Sequence, residues 1–232
     1  MERKKLVVFT GAGISAESGL HTFRDADGLW NQHRIEDVAT PMAFAKNPKM
    51  VLEFYNQRRK DVLAANPNLA HAALAELEKD FSVEIITQNI DDLHERAGSS
   101  RVLHLHGEIL KMRTTQHPNR LYPYDKDIQV GDLGPDGYPF RPHVVWFHEP
   151  VPLFETAIQS VQIADIFLII GTSLQVYPAA SLLQFAPRKI PVILIDKNIP
   201  DAVRQNDQPI HFIEKTATEA VPEMISLLKQ FN

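Results

Sequence analysis

The sequence predicts an α/β fold in which a parallel sheet carries helices on both faces and insertions form a small second domain. Short runs of β-branched and apolar residues recur along the chain, and several are apolar almost throughout, as in central parallel strands covered on both faces. Between them lie segments whose apolar residues are spaced three and four apart, which is typical of helices. Strands and helices that alternate in this way form a doubly wound sheet.

The predicted elements alternate along most of the chain, with two interruptions. Strands are predicted at residues 6–9, 83–87, 102–105, 144–147, 166–170 and 192–195, and helices at 48–65, 70–79, 153–164, 179–186 and 217–231. Residues 31–79 look helical throughout, and residues 113–141, rich in proline, glycine and aspartate, predict an irregular insert at the sheet edge. We therefore predict a large lobe of about residues 1–30, 80–112 and 142–232, and a small lobe built from the insertions at about 31–79 and 113–141.

Composition narrows the class of protein. A chain of 232 residues suits one domain with a small insert, and a formal net charge of −5 argues mildly against a nucleic-acid partner. No apolar run could cross a bilayer, and the run after Arg3-Lys4-Lys5 is too brief for a secretory signal. We therefore expect no membrane partner, a cytoplasmic location and a monomer. The absence of cysteine excludes disulfides, thiolate zinc sites, iron–sulfur clusters and a cysteine nucleophile.

A glycine-rich turn follows the first predicted strand, in the segment from Thr10 to Gly19. Gly11 permits a sharp turn, Gly13 lets the backbone approach a ligand, and Ala16 keeps the helix expected next close to the sheet. Backbone amides at such a helix start carry partial positive charge, so a diphosphate is the natural ligand. Taken alone this pattern is a weak signal for a nucleotide site.

Three further polar segments follow predicted strands, where ligands bind in open α/β sheets. They are residues 87–94, His106-Gly107 and residues 171–173. Each also has a structural interpretation. Asp91 or Asp92 could cap the following helix, a histidine in such a place is more often structural than catalytic, and small turns after strands are common.

Together these segments resemble sirtuins, the NAD-dependent protein deacylases. The resemblance covers residues 5 to 223 and rests on Gly11-Ala12-Gly13-Ile14-Ser15-Ala16-Glu17-Ser18-Gly19, Thr22-Phe23-Arg24, Thr87-Gln88-Asn89-Ile90-Asp91, His106-Gly107 and Gly171-Thr172-Ser173. It implies a Rossmann-like large domain, a small domain from two insertions, and a cleft that NAD and an acyl-lysine enter from opposite sides.

The resemblance also implies which residues bind NAD. By this resemblance the glycine-rich turn cradles the diphosphate, Phe23 and Arg24 cover the nicotinamide ribose, and Asp91 accepts a hydrogen bond from the nicotinamide carboxamide. The residues from Gly171 onward lie around the adenosine. The implied NAD-binding residues are Gly11, Ala12, Gly13, Ser15, Ala16, Phe23, Arg24, Gln88, Asn89, Ile90, Asp91, Gly171, Thr172, Ser173, Asp196 and Ala217. Most relatives have asparagine where this chain has Asp196.

The implied reaction consumes NAD, with His106 and Asn89 as catalytic residues. The acyl oxygen of the modified lysine attacks ribose C1′ as nicotinamide leaves, and His106 then deprotonates a ribose hydroxyl. The products are free lysine, nicotinamide and O-acyl-ADP-ribose. An imidazole suits this step because its ordinary pKa of about 6.5 leaves a neutral base near neutral pH.

The acyl group is indicated by Tyr55 and Arg58, which share a helix face at positions i and i+3. Without the resemblance they would suit an ordinary amphipathic helix. With it, they match the pair of sirtuins that accept succinyl- and malonyl-lysine, and a phenol beside a guanidinium can bind a carboxylate. Activity on acetyl-lysine is expected as well. In the same family Val145 accepts the lysine Nε–H and Phe147 walls the acyl tunnel, whereas His148 replaces a usual glycine.

Most sirtuins hold a zinc ion with four cysteines in the small domain, and this chain has none. Thr114 and Thr115 lie near where the first pair would begin. The scatter of His117 and four nearby aspartates fits no tetrahedral spacing, so we predict an insert without zinc. The aspartates are Asp125, Asp127, Asp132 and Asp136.

Other functions on this fold remain alternatives. A catalytically silent NAD-binding module would not need His106, and an NAD glycohydrolase or ADP-ribosyl transferase would not need the acyl tunnel or the Tyr55/Arg58 pair. A dehydrogenase would need an acidic residue on a second strand, which is missing.

Overall fold

The computed structural model describes residues 3–22, 33–205 and 209–231. Its strands are β1 (Lys5–Thr10), β2 (Ser82–Thr87), β3 (Val102–His104), β4 (Gly107–Thr114), β5 (Leu121–Pro123), β6 (Phe140–Val144), β7 (Ile166–Ile170), β8 (Val192–Ile195) and β9 (Ile210–Ile213). Its α-helices are α1 (Ile35–Val38), α2 (Pro41–Lys46), α3 (Pro48–Ala64), α4 (Leu69–Glu76), α5 (Leu93–Arg96), α6 (Phe154–Gln162), α7 (Asp201–Arg204) and α8 (Val221–Lys229). No helix in these described ranges has the length and apolar character needed to cross a membrane.

Six strands form the large sheet, in the order β3-β2-β1-β7-β8-β9, and every pairing is parallel. Helices cover both faces, which confirms the predicted fold class. Leu74 of α4 and Met224 of α8 pack in the core on one face, and Val161 of α6 packs in the core on the other. Because both faces are buried, the central strands are apolar at nearly every position.

The sequence prediction differs from the structure in the strands of residues 107–147. Residues 113–141, expected to be irregular, include parts of β4, β5 and β6, which pair as an antiparallel sheet in the order β5-β4-β6. The strand expected at 144–147 ends instead at Val144, because residues 146–149 turn, with the Glu149 N–H donating to the Trp146 carbonyl at 3.1 Å. The edge strand β9 was not predicted.

Two segments predicted as α-helices form 3₁₀ helices instead. Within the glycine-rich segment the chain forms two single 3₁₀ turns, Ala12–Ile14 and Ala16–Ser18, and Gly19 ends the second in a left-handed conformation with φ of 87°. The predicted helix at 179–186 is a 3₁₀ helix, Ala179–Phe185.

The small antiparallel sheet packs against helices α1 to α3 around a third core. Val51 and Tyr55 of α3 contribute to it, together with Ile109 of β4 and Trp146. This packing forms the small second domain. The lobe boundaries remain predictions, and α4, inside the insertion assigned to the small lobe, packs on the large sheet.

Candidate functional site

A cavity of about 560 Å³ lies at the carboxyl ends of the parallel strands β1, β2, β7 and β8. Phe23 and Arg24 lie outside the described residues. Every other residue predicted to bind NAD or substrate lines this cavity: Gly11, Ala12, Gly13, Ser15, Ala16, Tyr55, Arg58, Gln88, Asn89, Ile90, Asp91, His106, Val145, Phe147, Gly171, Thr172, Ser173, Asp196 and Ala217.

The glycine-rich turn packs backbone against backbone on the end of β7. The Gly11 N–H donates to the Ile170 carbonyl at 3.1 Å, and the Gly13 N–H donates to the Gly171 carbonyl at 2.8 Å. A Cβ atom at Gly13 would lie 2.7 Å from the Gly171 Cα, closer than side chains tolerate. The turn therefore leaves a narrow, side-chain-free cradle that suits a diphosphate.

The segment after β2 turns its polar side chains toward that cradle. The Gln88 amide donates to the Thr172 hydroxyl at 2.9 Å, which joins the ends of β2 and β7. The Asn89 amide donates to the Gly11 carbonyl at 3.2 Å and to the Ser15 hydroxyl at 3.1 Å. Asn89 is thus oriented between the diphosphate cradle and the rest of the cavity.

Asp91 is a buried carboxyl that accepts two hydrogen bonds just before α5. Its Oδ1 atom accepts from the Leu93 N–H at 3.2 Å, as a residue at a helix start does, and its Oδ2 atom accepts from the Ser15 hydroxyl at 3.1 Å. Burial raises the pKa of its carboxyl, although both hydrogen bonds act against this. A buried carboxyl that lines the cavity can accept from an amide of a ligand.

A buried histidine behind Ser15 escaped the sequence analysis. His71 Nδ1 accepts from the Asn68 N–H at 3.2 Å, and its Nε2 lies 3.4 Å from the Ser15 hydroxyl. Burial lowers the pKa of His71 to about 4, so the ring is neutral near pH 7 and its proton sits on Nε2. The signal in the sequence was the capping box that Asn68 and His71 form at the start of α4.

His106 has the tautomer of a general base. Its Nδ1 lies 3.0 Å from the Gln88 carbonyl, which can only accept, so Nδ1 carries the proton and Nε2 keeps its lone pair. Burial lowers the pKa of His106, which keeps the ring neutral near pH 7. Gly107 follows in a left-handed conformation, φ 82°, and a Cβ there would lie 2.2 Å from the His143 carbonyl oxygen.

Tyr55 and Arg58 bring a phenol and a cation into the same cavity. They lie on one face of α3, with only 1% and 5% of their surfaces exposed. Burial raises the pKa of Tyr55, so its hydroxyl keeps its proton. An Arg58 Nη2 hydrogen bond to the His21 carbonyl, 3.3 Å long, anchors the guanidinium.

The segment 144–149 also lines the cavity. The Val145 N–H donates to the His106 carbonyl at 2.8 Å, and the Phe147 N–H donates to the Ala39 carbonyl at 3.0 Å. His148 has a φ of 69°, the left-handed conformation that favours glycine. An ion pair between Arg141 and Glu149, which the sequence analysis missed, underlies this segment.

The side of the cavity predicted to bind the adenosine is built from residues that follow β8 and β9. Asp196 follows β8, and its Oδ1 atom accepts from the Asn198 N–H at 2.9 Å. Burial raises the pKa of this carboxyl. Across the cavity, the Thr218 N–H donates to Glu17 at 2.9 Å, which ties the loop that contains Ala217 to the glycine-rich turn.

Among the described residues, no group of three or more histidines, cysteines, aspartates or glutamates is arranged to hold a metal ion. At the end of β4, the Thr114 hydroxyl donates to the Asp136 carboxylate at 2.7 Å.

Comparisons with known proteins agree with one another. A family model described as "Sir2 family" matches residues 11–178. An "NAD-dependent protein deacylase" of Helicobacter pylori is 52% identical over 97% of this chain and 97% of its own. Another of the same name from Bacteroides thetaiotaomicron is 51% identical over 97% of this chain and 98% of its own. A solved Sir2 homolog–NAD complex superposes with a TM-score of 0.86, at 40% identity over 99% of this chain and 91% of that one.

Proposed function

Since this chain belongs to the Sir2 family, we propose that it removes succinyl and malonyl groups, and also acetyl groups, from lysine side chains of proteins. The coarser activity is that of an NAD-dependent protein deacylase, the name carried by relatives about half identical over almost the whole chain. The finer substrate choice is inferred from the cavity itself. The observation that carries it is the position of Arg58, a nearly fully buried cation in the same cavity as His106.

The residues present fit NAD as the second substrate. A Cβ at Gly13 would collide with the Gly171 backbone, so this turn lines the cavity with main chain, and Asn89 and Asp91 are buried polar side chains that line the same cavity. When bound, NAD supplies an electrophilic ribose carbon with nicotinamide as its leaving group. The backbone of the glycine-rich turn then holds the diphosphate, and the Asp91 carboxyl, where it bears a negative charge, accepts from the nicotinamide amide.

His106 acts as the general base in this proposal. Its Nδ1–H bond to the Gln88 carbonyl keeps the Nε2 lone pair available, and Nε2 takes the proton of a ribose hydroxyl. Asn89 donates its amide hydrogens to Gly11 and Ser15, so its own side-chain oxygen can accept from the ribose.

Arg58 and Tyr55 account for the acyl preference. A succinyl or malonyl group ends in a carboxylate, and a buried guanidinium beside a protonated phenol binds that charge where water does not compete. An acetyl group has no carboxylate for Arg58 to bind, so it is accepted but gains nothing from this interaction.

The decisive experiment compares one peptide sequence carrying acetyl-, succinyl- or malonyl-lysine, incubated with NAD and analysed by mass spectrometry. The expected products are nicotinamide, free peptide and O-acyl-ADP-ribose. Nicotinamide released without peptide would indicate a glycohydrolase, and NAD binding without turnover would indicate a silent module. His106→Gln should abolish product formation while leaving the fold intact.

A matched pair of variants tests the acyl preference. Arg58→Met should lower kcat/KM for succinyl and malonyl peptides about tenfold to a hundredfold, the effect of losing a hydrogen bond to a charged group. The acetyl peptide should be less affected. Lys60→Met is the control, because Lys60 lies on the same helix and pairs with Asp127 at 2.8 Å outside the cavity. An equal loss for all three acyl groups in Arg58→Met would rule out the carboxylate site.

A further inference from the structure

Two histidines at the end of β3 bond to consecutive carbonyl groups of one loop. His104 Nδ1 lies 3.0 Å from the Asn89 carbonyl oxygen, and His106 Nδ1 lies 3.0 Å from the Gln88 carbonyl oxygen. Between them, the Leu105 N–H donates to the Thr87 carbonyl at 2.9 Å. The loop that carries Asn89 and Asp91 is therefore held from β3 at three successive positions.

His104 differs from His106 in that its second ring nitrogen, Nε2, also has a hydrogen-bond partner. His104 Nε2 lies 2.8 Å from the Glu95 carboxylate, and the ring is almost entirely buried. A carbonyl oxygen and an ionised carboxylate can only accept hydrogen bonds, so both ring nitrogens must donate. This arrangement requires an imidazolium.

The surroundings of His104 support the charged form. Burial acts to lower its pKa, but Glu95 and the Asn89 carbonyl outweigh it and raise the pKa above its ordinary value. Glu108 on β4 also favours the proton. Asp91 and His94 are the other titratable groups that interact with it, and burial keeps His94 neutral near pH 7.

From this geometry we infer that His104 is a positioning residue, a protonated imidazolium that fixes the Asn89 backbone and so aims the Asn89 and Asp91 side chains into the NAD cavity. The inference rests on the proposed function for its consequence in turnover, but not for its effect on NAD binding. If His104 were neutral, its single proton would bond to Glu95, the stronger acceptor, and a lone pair would then face the Asn89 carbonyl.

Two substitutions separate the two bonds of His104. In His104→Asn the amide nitrogen can occupy the place of Nδ1 and still donate to Asn89. In His104→Gln the amide nitrogen reaches the place of Nε2 and donates to Glu95 instead. His211→Gln is the control, since His211 is exposed on the edge strand β9. The measurements are the Kd for NAD without peptide, then KM and kcat with peptide, and the melting temperature.

We expect His104→Gln to weaken NAD binding about tenfold or more, the loss of a charge-assisted hydrogen bond, whereas His104→Asn weakens it less than threefold. KM for the peptide should not change in either. A ¹H–¹⁵N spectrum of the histidine rings should show both His104 nitrogens protonated at pH 7. A neutral His104 ring at pH 7, or equal NAD affinities in the two variants, would overturn the inference. If the wild-type protein binds NAD but turns over no peptide, the proposed function fails while these two readouts still test His104.

Discussion

Arg141 and Glu149 form a bidentate ion pair, with Nη1 and Nη2 at 2.6 and 3.0 Å from the two carboxylate oxygens. Arg141 also donates to the Val144 carbonyl at 2.8 Å, and its guanidinium lies 3.3 Å from the centre of the Trp146 ring. Glu149 in turn accepts from the Trp146 N–H at 2.8 Å. This one pair holds the end of β6, the Trp146 ring and the turn of residues 146–149 in a single arrangement.

The first prediction concerns Glu149→Gln, which leaves the Arg141 charge buried without its counterion. The free energy of unfolding should fall by roughly 3 kcal/mol, as when one partner of a buried pair is removed. KM for the peptide should rise, because the turn lines the cavity beside the proposed acyl-binding residues, while NAD affinity stays unchanged.

Urea unfolding and steady-state kinetics measure both effects, with Glu155→Gln, on the exposed surface of α6, as the control. If Glu149→Gln unfolded like the wild type, or lost NAD affinity as much as peptide affinity, the ion pair would not have this role.

The second prediction is the pH dependence that His106 imposes. Its base form is neutral, and burial lowers its pKa, so activity should rise with pH through a midpoint below 6.5 and level off by about pH 7. The measurement is kcat/KM for NAD between pH 5 and pH 8 at constant ionic strength. A midpoint above 6.5 would mean that the base is another group or that the ring is charged in the free enzyme.

The fold was predictable from sequence where one physical cause dominates. Strands β7 and β8 are buried on both faces, so Ile166–Ile170 and Val192–Ile195 are apolar at every position. Edge strand β9 has the same length as β8, but the exposed His211 interrupts its apolar run, so the sequence did not predict it. The small sheet was missed because β4 mixes charged and apolar residues and β5 has only three, mostly exposed, residues.

The same contrast holds for the candidate site. Gly13, Asn89 and His106 could be placed together because the carboxyl ends of parallel strands meet at one edge of the sheet, whereas their roles were implied only by the resemblance to sirtuins. The roles of His71 and His104 could not be predicted, because they come from partners that folding brings together. Ser15 is 56 residues from His71, and the Asn89 carbonyl is 15 residues from His104.

The third prediction is an acid sensitivity due to His71. Its pKa is about 4 in the folded chain and about 6.5 when unfolded, so only the unfolded state binds a proton between these values. His71 should therefore leave the free energy of unfolding unchanged above pH 6.5. It should lower that free energy by roughly 3 kcal/mol once the pH has fallen to about 4. His71→Gln keeps a donor for Ser15 but cannot titrate. Its stability relative to the wild type should rise steadily from pH 7 to pH 4.5 in urea titrations, and a constant difference would contradict this.

The fourth prediction is that the insert is stable without a metal ion, because side-chain hydrogen bonds join its parts. The Asp136 carboxylate accepts from the Thr114 hydroxyl at 2.7 Å and from the Tyr138 N–H at 3.2 Å, so it joins β4 to the loop before β6. Dialysis against a strong chelator should leave both the activity and the melting temperature unchanged, whereas Asp136→Ala should lower the melting temperature. Asp125→Ala, at an exposed position of the same insert, should not. Loss of activity on chelation, restored by added zinc, would show that a metal does stabilise this insert.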